Sequence, residues 1–261
     1  MKYPKINYIG NKEKIADWIV NFIPAEVKSV LDAFSGGASI SYKLKELGYK
    51  VYSNDILKIN YLISKSLIEN DTVFLNKKDI HIIFSGMPFK GYITKNYKNK
   101  YYFENECMEL DLYRKNIDKL EGEYKKAMAL ILLRRAMIRK MPYSRFNIKW
   151  EKIKELRNEE YSYQKYGRKR AYHNESFKFH FLENLKSYND SVFKGLNECH
   201  SLNEDIFSLL DKDIEVDLIY LDPPYASTLN DYYKFYGFLD SYIEQKEIPE
   251  EILTELLENA R

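Results

Sequence analysis

The feature that most constrains the fold is a strand–helix–strand pattern near the start of the chain. Residues 29–34, "SVLDAF", form a short apolar run that ends at a glycine pair, which is typical of a buried strand. Residues 39–49 have helical spacing, and "KVYSND" at 50–55 predicts a second strand that leads into another helix. Strands that are joined by helices run parallel, so this region predicts an α/β unit with a parallel sheet.

The middle of the chain interrupts this pattern. Between residues 72 and 195 the sequence is polar, basic and aromatic, and its clearest helix, at 124–138, is partly apolar all round and therefore expected to be buried. The α/β pattern returns at "EVDLIYLD", residues 215–222. We therefore expect one α/β domain made of residues 1–70 and 196–261, with residues 71–195 as a large, mostly helical insertion.

Composition narrows the class of protein. With 45% hydrophobic and 31% charged residues and a net charge of +2, the chain is typical of a soluble globular protein. Cys107 and Cys199 are too far apart in the sequence for a zinc motif and provide no disulfide framework, so we predict no metal site and a reducing, cytoplasmic location. No signal peptide or membrane span is expected.

The stretch "VDLIYLDPPYAS", residues 216–227, predicts a specialised strand end. Two prolines hold the backbone extended after the strand. The Asp222 carboxylate and the Pro223 carbonyl could then each accept one N–H of an exocyclic amine on a flat base, while Tyr225 stacks on that base outside the duplex. The alternative is an ordinary proline-rich turn.

Three further strand ends carry candidate ligand-binding residues. Gly36 and Gly37 lie where the first strand turns into a helix, and glycines there let the backbone approach a ligand closely. Asp55 ends the second strand, where an acid can bind ribose hydroxyls or cap the next helix. Asp205 precedes a hydrophobic segment, and a capping role is at least as good an interpretation there.

Taken together, these motifs resemble the D12 class of DNA adenine-N6 methyltransferases. D-P-P-Y follows "VDLIYL", F-S-G-G follows "SVLDA", and "YIGNK" lies near the N-terminus, in the order cofactor motif, target recognition, catalytic motif. The resemblance implies a Rossmann-like methyltransferase fold, S-adenosylmethionine as cofactor and a restriction-modification role. It implies a catalytic tetrad of Asp222, Pro223, Pro224 and Tyr225. The cofactor-binding residues that it implies are Tyr8, Gly10, Lys12, Asp32, Phe34, Gly36, Gly37, Asp55 and Asp205.

A basic, aromatic segment within the insertion predicts contact with double-stranded DNA. Residues 134–170 contain 13 Lys and Arg against 4 Asp and Glu, a local net charge of +9, interleaved with tyrosines and a tryptophan. Cations can neutralise phosphates, and aromatic side chains can stack at an opened base. The alternative is a solvated basic face. The candidate DNA contacts are Arg134, Arg135, Arg139, Lys140, Arg145, Arg168, Lys169 and Arg170.

The end of the chain departs from a complete methyltransferase pattern. Only 36 residues follow Tyr225, and they have helical character, with Pro249 expected to start the last helix. We therefore expect the C-terminal strands to be missing and the tetrad strand to lie near a sheet edge. The chain could be a fragment, a degenerate protein, or one half of a split enzyme completed by a second polypeptide. The alternative function is a truncated, non-catalytic DNA-binding or assembly subunit, and RNA or cytosine-N4 methylation stays open within the enzyme class.

Overall fold

A four-stranded parallel sheet forms the centre of the molecule. The computed structural model describes residues 2–167, 173–212, 214–224 and 229–247. The strand order is β3-β2-β1-β4, and every pair of neighbours runs parallel. The strands are β1 Ser29–Asp32, β2 Lys50–Asn54, β3 His200–Leu202 and β4 Leu218–Tyr220. The predicted α/β fold is confirmed.

Helices surround this sheet in the described part of the chain, and a short 3₁₀ turn and a π-helical turn adjoin α1 and α3. The helices are α1 Ala16–Val20, α2 Ser39–Glu46, α3 Lys58–Ser64, α4 Lys77–Phe84, α5 Tyr92–Tyr97, α6 Glu104–Ile117, α7 Glu123–Lys140, α8 Trp150–Arg157, α9 Glu159–Tyr166, α10 Phe177–Asn189, α11 Ile206–Leu210 and α12 Leu229–Glu244. None of them is long and apolar enough to cross a membrane.

The two faces of the sheet contact different helices because successive strand residues point to opposite sides. On β1, Val30 enters a large hydrophobic cluster that also takes in α2, α3 and the helices between residues 71 and 195. Its neighbour Leu31 enters a small cluster with Ile206 and Leu209 of α11. One face of the sheet is thus deeply covered and the other only thinly.

The strand order reverses between β1 and β4. The chain moves outward from β1 to β2 and β3, and then returns to the other side of β1 to form β4. Such a switch point opens a crevice at the carboxyl ends of the strands, where open α/β sheets bind ligands. Within the described residues β4 is an edge strand, as predicted, and Ile219 and Leu221 are 43% and 60% exposed.

The region 71–195 is built from helices α4 to α10 in its described part, which confirms that it is mostly helical. Helix α7 is buried on nearly all sides, as its composition predicts, because it packs between α3 and α10. These helices share one hydrophobic core with the sheet. The division into residues 1–70 with 196–261 and residues 71–195 remains a prediction.

Acids on distant helices fix where two short helices begin. Asp111 of α6 accepts N–H hydrogen bonds from Gly91, Ile93 and Thr94 at the start of α5. Asp240 of α12 does the same for α3, and its carboxylate oxygens lie 3.1 and 2.8 Å from the backbone nitrogens of Lys58 and Ile59. A carboxylate satisfies the unpaired N–H groups of a first turn and favours the positive end of the helix dipole.

Candidate active site

A cavity of about 220 Å³ lies at the carboxyl ends of the four strands, at the switch point between β1 and β4. We call it the strand-end cavity. Most of the predicted site residues line it, although they come from five separate parts of the sequence. They are Tyr8, Gly10, Lys12, Asp32, Phe34, Gly37, Asp55, Asp205, Asp222, Pro223 and Pro224.

The glycine pair forms a turn that a larger residue could not make. Gly36 has φ +52°, and a Cβ there would lie 2.4 Å from the ring of Tyr8. Its N–H donates to Asp55 Oδ2 at 2.8 Å, which ties the β1 turn to the end of β2. A Cβ on Gly37 would meet the Cβ of Tyr8 at 3.0 Å. Glycine is therefore required here by close approach as well as by the left-handed backbone.

Asp32 ends β1 and is almost fully buried at the floor of this cavity. Its Oδ2 accepts a hydrogen bond from Ser41 Oγ at 2.6 Å, whereas Oδ1 is buried without a hydrogen-bond partner. Burial, reinforced by the charges of Asp55 and Asp222, raises the pKa of Asp32 to about 7. A buried carboxylate oxygen with an unmet acceptor is costly, so this atom is suited to a cationic or N–H-donating ligand.

Asp55 holds the loop after β2 together. Its two oxygens accept N–H hydrogen bonds from Gly36 and, at 2.9 Å, from Leu57. Burial raises its pKa to about 6, against the opposing effect of these donors. Because each carboxylate oxygen accepts more than one hydrogen bond, Asp55 can both shape the loop and bind a hydroxyl in the cavity.

Asp205 is the N-cap of α11. Its Oδ1 accepts from the backbone N–H groups of Phe207 and Ser208 at 3.0 and 3.2 Å. The capping alternative is therefore confirmed for this residue, which nevertheless also lines the strand-end cavity. A binding role there stays a prediction.

The tetrad follows β4 and faces the N-terminal segment. Lys12 Nζ lies 2.5 Å from Asp222 Oδ2 and 3.2 Å from the carbonyl oxygen of Gly10. Both side chains are 21% exposed, so the pair is at the wall of the cavity. Pro223 and Pro224 extend that wall. Tyr225, the fourth predicted member, lies outside the described residues.

The segment that carries Tyr8, Gly10 and Lys12 has no helix or strand of its own and is held by other elements. Arg134 of α7 is buried and donates to the carbonyl oxygens of Ile6 and Asn7 at 2.5 and 3.1 Å. Tyr236 of α12 stacks on Tyr8, with ring centroids 5.1 Å apart, and its hydroxyl accepts the N–H of Ile9. Helices of the insertion and of the C-terminal part thus position one wall of the site.

The predicted DNA contacts divide into buried and surface residues. DNA contact stays a prediction for all of them, but three are buried: Arg134 holds the N-terminal segment, Lys140 pairs with Glu106 at 2.9 Å in the interior, and Arg135 is only 5% exposed. They are buried because α7 is enclosed by other helices. Arg139 is partly exposed beside Glu183, and Arg145 is exposed. Three predicted contacts lie outside the described residues: Arg168, Lys169 and Arg170.

Several residues that the sequence analysis missed also build the site. Asn54 donates to the carbonyl oxygens of Ala33 and Glu204 and so joins the loops after β1, β2 and β3. Glu204 and Tyr220 line the cavity. The sequence could have indicated Asn54, Glu204 and Tyr220 only by their position, because each stands beside one of the candidate strand-end residues. Asp240 gave no such signal, because it reaches the site region from the middle of α12.

Comparison with known proteins agrees with this geometry. Residues 8–256 match the family model of the D12 class N6 adenine-specific DNA methyltransferases. Over 242 residues the chain is 57% identical to the type II methyltransferase M2.HphI of Haemophilus parahaemolyticus, covering 93% of this chain and 72% of that protein. It is 24% identical over 280 residues to the type II methyltransferase M.FokI of Planomicrobium okeanokoites, covering 93% of this chain and 40% of that protein.

The chain belongs to the D12 class of N6 adenine-specific DNA methyltransferases. The resemblance drawn from the D-P-P-Y and F-S-G-G motifs is confirmed, and with it the prediction of an adenine-specific methyltransferase acting on DNA. The comparisons do not favour the alternative of a non-catalytic subunit and give no support to a second polypeptide.

Proposed function

We propose that this chain transfers a methyl group from S-adenosylmethionine to the N6 amine of an adenine extruded from double-stranded DNA. We further propose that it is the modification enzyme of a type II restriction-modification system and acts in the cytoplasm. The observation that carries the proposal is the meeting of Asp222, Asp32 and the Gly36 turn around one cavity, although these residues are as much as 190 positions apart.

Two features of the cavity fit the cofactor. Asp32 Oδ1 is buried without a hydrogen-bond partner and suits the ammonium group of an amino acid. The Gly36–Gly37 turn leaves no room for a Cβ against Tyr8, so its backbone forms a close wall. Asp55 is the proposed acceptor for ribose hydroxyls, and Asp205 the proposed neighbour of the adenine ring. When bound, S-adenosylmethionine supplies an electrophilic methyl group.

The target amine is the proposed ligand of Asp222 and Pro223. The lone pair of an exocyclic amine is delocalised into the ring, which makes the nitrogen a poor nucleophile. Two fixed acceptors, the Asp222 carboxylate and the Pro223 carbonyl, would bind its two hydrogens and favour a tetrahedral nitrogen. Lys12 holds the carboxylate in place at 2.5 Å, so we assign it a positioning role toward Asp222 as well as its predicted role beside the cofactor.

A second cavity, of about 360 Å³, supports DNA contact next to the site. It shares Tyr8 and Ile9 with the strand-end cavity and is also lined by Tyr143, Ser144 and Arg145. Tyr143 and Ser144 have φ values of 57° and 58°, a backbone conformation that costs energy in residues other than glycine and is frequent at functional sites. We propose this loop as the part of the insertion that meets the opened DNA, and we keep Arg139, Arg168, Lys169 and Arg170 as predicted phosphate contacts.

The test is transfer of a labelled methyl group to duplex DNA, followed by identification of the modified base. We expect N6-methyladenine from the wild-type chain and its near-complete loss in Asp222→Ala. Asp118→Ala is the matched control, because Asp118 is an exposed acid that pairs with Arg114 and does not line the strand-end cavity. Absence of transfer to any duplex, or methylation of cytosine or RNA instead, would refute the proposal.

A further inference from the structure

A third cavity, of about 400 Å³, lies between α7, α10 and the first residues of the chain, away from the strand-end cavity. We call it the Arg135 pocket. Its charged lining comprises four cations, Lys2, Lys5, Arg135 and Arg139, and two acids, Glu183 and Asp190. Its two cations from α7, Arg135 and Arg139, are one helical turn apart, so their side chains share a face of the helix.

Arg135 differs from the other buried cations of the described chain because it has no hydrogen-bond partner. It is 5% exposed, and its Nε and Nη1 have no hydrogen-bond partner. The remaining buried Lys and Arg side chains all have one: Lys45 binds Asp71, Arg134 binds two carbonyls, and Lys140 and Arg157 both bind Glu106. A guanidinium that is removed from water without a partner is strongly unfavourable.

The acids at the rim do not neutralise Arg135. Glu183 lies 3.7 Å from Arg139 and 3.8 Å from His180, and Asp190 is paired with Lys186. Burial, together with the nearby cations Arg139 and Arg134, lowers the pKa of Arg135 against the opposing effects of Tyr188 and Glu183. The pocket therefore has an excess of positive charge that is directed into an open volume.

We propose that the Arg135 pocket binds a phosphate group. A tetrahedral oxyanion offers several acceptors to a planar guanidinium, and the surrounding Lys2, Lys5 and Arg139 can complete its coordination. The phosphate comes either from the backbone of DNA that is bound at the active site or from a free phosphate compound. Both have the same chemistry at the pocket, and experiment distinguishes them.

The pocket is also connected to the active site. Tyr3 lines it, and the hydroxyl of Tyr3 donates to the carbonyl oxygen of Gly37 in the glycine turn. The same segment continues to Tyr8, which packs against Gly36. A phosphate held by Lys2, Lys5 and Arg135 would therefore also hold the segment that contacts the glycine turn.

The first arm of the test measures thermal unfolding in inorganic phosphate against chloride of equal ionic strength, without DNA or methyl donor. If free phosphate occupies the pocket, the melting temperature of the wild type rises by a few degrees in phosphate, and Arg135→Met loses this rise. Lys77→Met is the control, since Lys77 is an exposed cation of α4 and its removal changes the net charge equally. Arg135→Gln replaces the methionine variant if that one does not fold.

The second arm measures binding of duplex DNA at several salt concentrations. If a DNA phosphate occupies the pocket, Arg135→Met reduces the slope of log K against log salt by about 1 relative to wild type and Lys77→Met. A loss in either arm supports the proposal and identifies the source of the phosphate. Identical behaviour of Arg135→Met and Lys77→Met in both arms overturns it. The DNA arm rests on the proposed function, but neither arm requires methyl transfer, so a failure here is distinguishable from a failure of that function.

Discussion

The strand-end cavity and the Arg135 pocket are both polar, but they differ in the sign of their buried charges and in how many partners the fold supplies for them. In the strand-end cavity the buried charges are acids, and backbone N–H groups of neighbouring turns bind Asp55, as Ser41 binds Asp32. In the Arg135 pocket the buried charge is a cation for which the described chain provides no acceptor. In the first cavity the fold supplies most partners of the buried acids, with Asp32 Oδ1 as the exception, whereas in the second the proposed partner of the buried cation is an external anion.

Two adjacent residues of α7 make the same contrast. Arg134 and Arg135 are both buried, but Arg134 donates hydrogen bonds to two carbonyl oxygens of the N-terminal segment, whereas Arg135 donates to none in the described chain. Burial alone therefore does not distinguish a structural cation from one available to a ligand. The distinguishing property is whether the fold supplies the partner.

The largest expected effect belongs to the strand-end cavity. Asp222→Asn keeps the size of the side chain but removes the charge that Lys12 binds and that the target amine would contact. Loss of one such electrostatic contact lowers kcat by about 10²–10³-fold. Single-turnover methyl transfer measures this rate. Arg135→Met should leave the same rate, at saturating DNA, within about twofold, and an equal loss in the two variants would contradict the division between the cavities.

The next largest effect should separate the two arginines. Arg134→Met leaves the buried carbonyl of Ile6 and the partly buried carbonyl of Asn7 without a donor, so we expect a loss of about 2–4 kcal/mol in the free energy of unfolding. Arg135→Met removes an unpartnered charge and keeps the aliphatic stem, so its stability should stay within about 1 kcal/mol of wild type or rise. Urea unfolding measures both, and a larger loss for Arg135→Met would show that its charge has a structural partner.

The same contrast explains what the sequence could predict. The strand-end residues stand next to strands with a clear hydrophobic pattern, and the family resemblance then assigned Asp32, Asp55 and Asp222 to the cofactor and catalytic motifs. The fold class and the buried helix α7 follow from periodicity in the same way. Both kinds of prediction use information that is local in the sequence.

Sequence reasoning failed where function depends on packing between distant helices. A run of basic residues indicates charge but not which side of a helix faces solvent, so Arg134 and Lys140 were predicted as DNA contacts although α7 is enclosed on nearly all sides. Asp240 acts on α3 across about 180 residues of sequence. The Arg135 pocket combines residues 2–5 with two helices of the insertion, and no local motif encodes that combination.

A smaller effect should test how tightly the strand-end cavity is closed. Gly36→Ala adds a Cβ at φ +52° that would lie 2.4 Å from the ring of Tyr8. We expect a loss of about 1–3 kcal/mol in stability together with weaker cofactor binding, measured by urea unfolding and calorimetry. Gly122→Ala is the control, because Gly122 has φ +80° but open space around it. Equal losses would mean that backbone strain alone, and not contact with Tyr8, requires glycine at position 36.

The last expected effect is a change in the slope of stability against pH, to which Asp32 of the strand-end cavity contributes alongside the buried acids Asp55 and Asp240. Burial raises the pKa of Asp32 to about 7, so the folded chain retains a proton that the unfolded chain loses near pH 4. The stability linked to this group is complete below pH 4 and is lost as the pH rises to about 7, at no more than about 1.4 kcal/mol per pH unit. Asp32→Asn should flatten this slope in urea unfolding between pH 5 and 7, whereas Arg135→Met should leave it unchanged, since a guanidinium does not titrate in that range. An unchanged slope in Asp32→Asn would mean that the buried carboxylate is ionised throughout, and that its unpartnered oxygen is stabilised without a ligand.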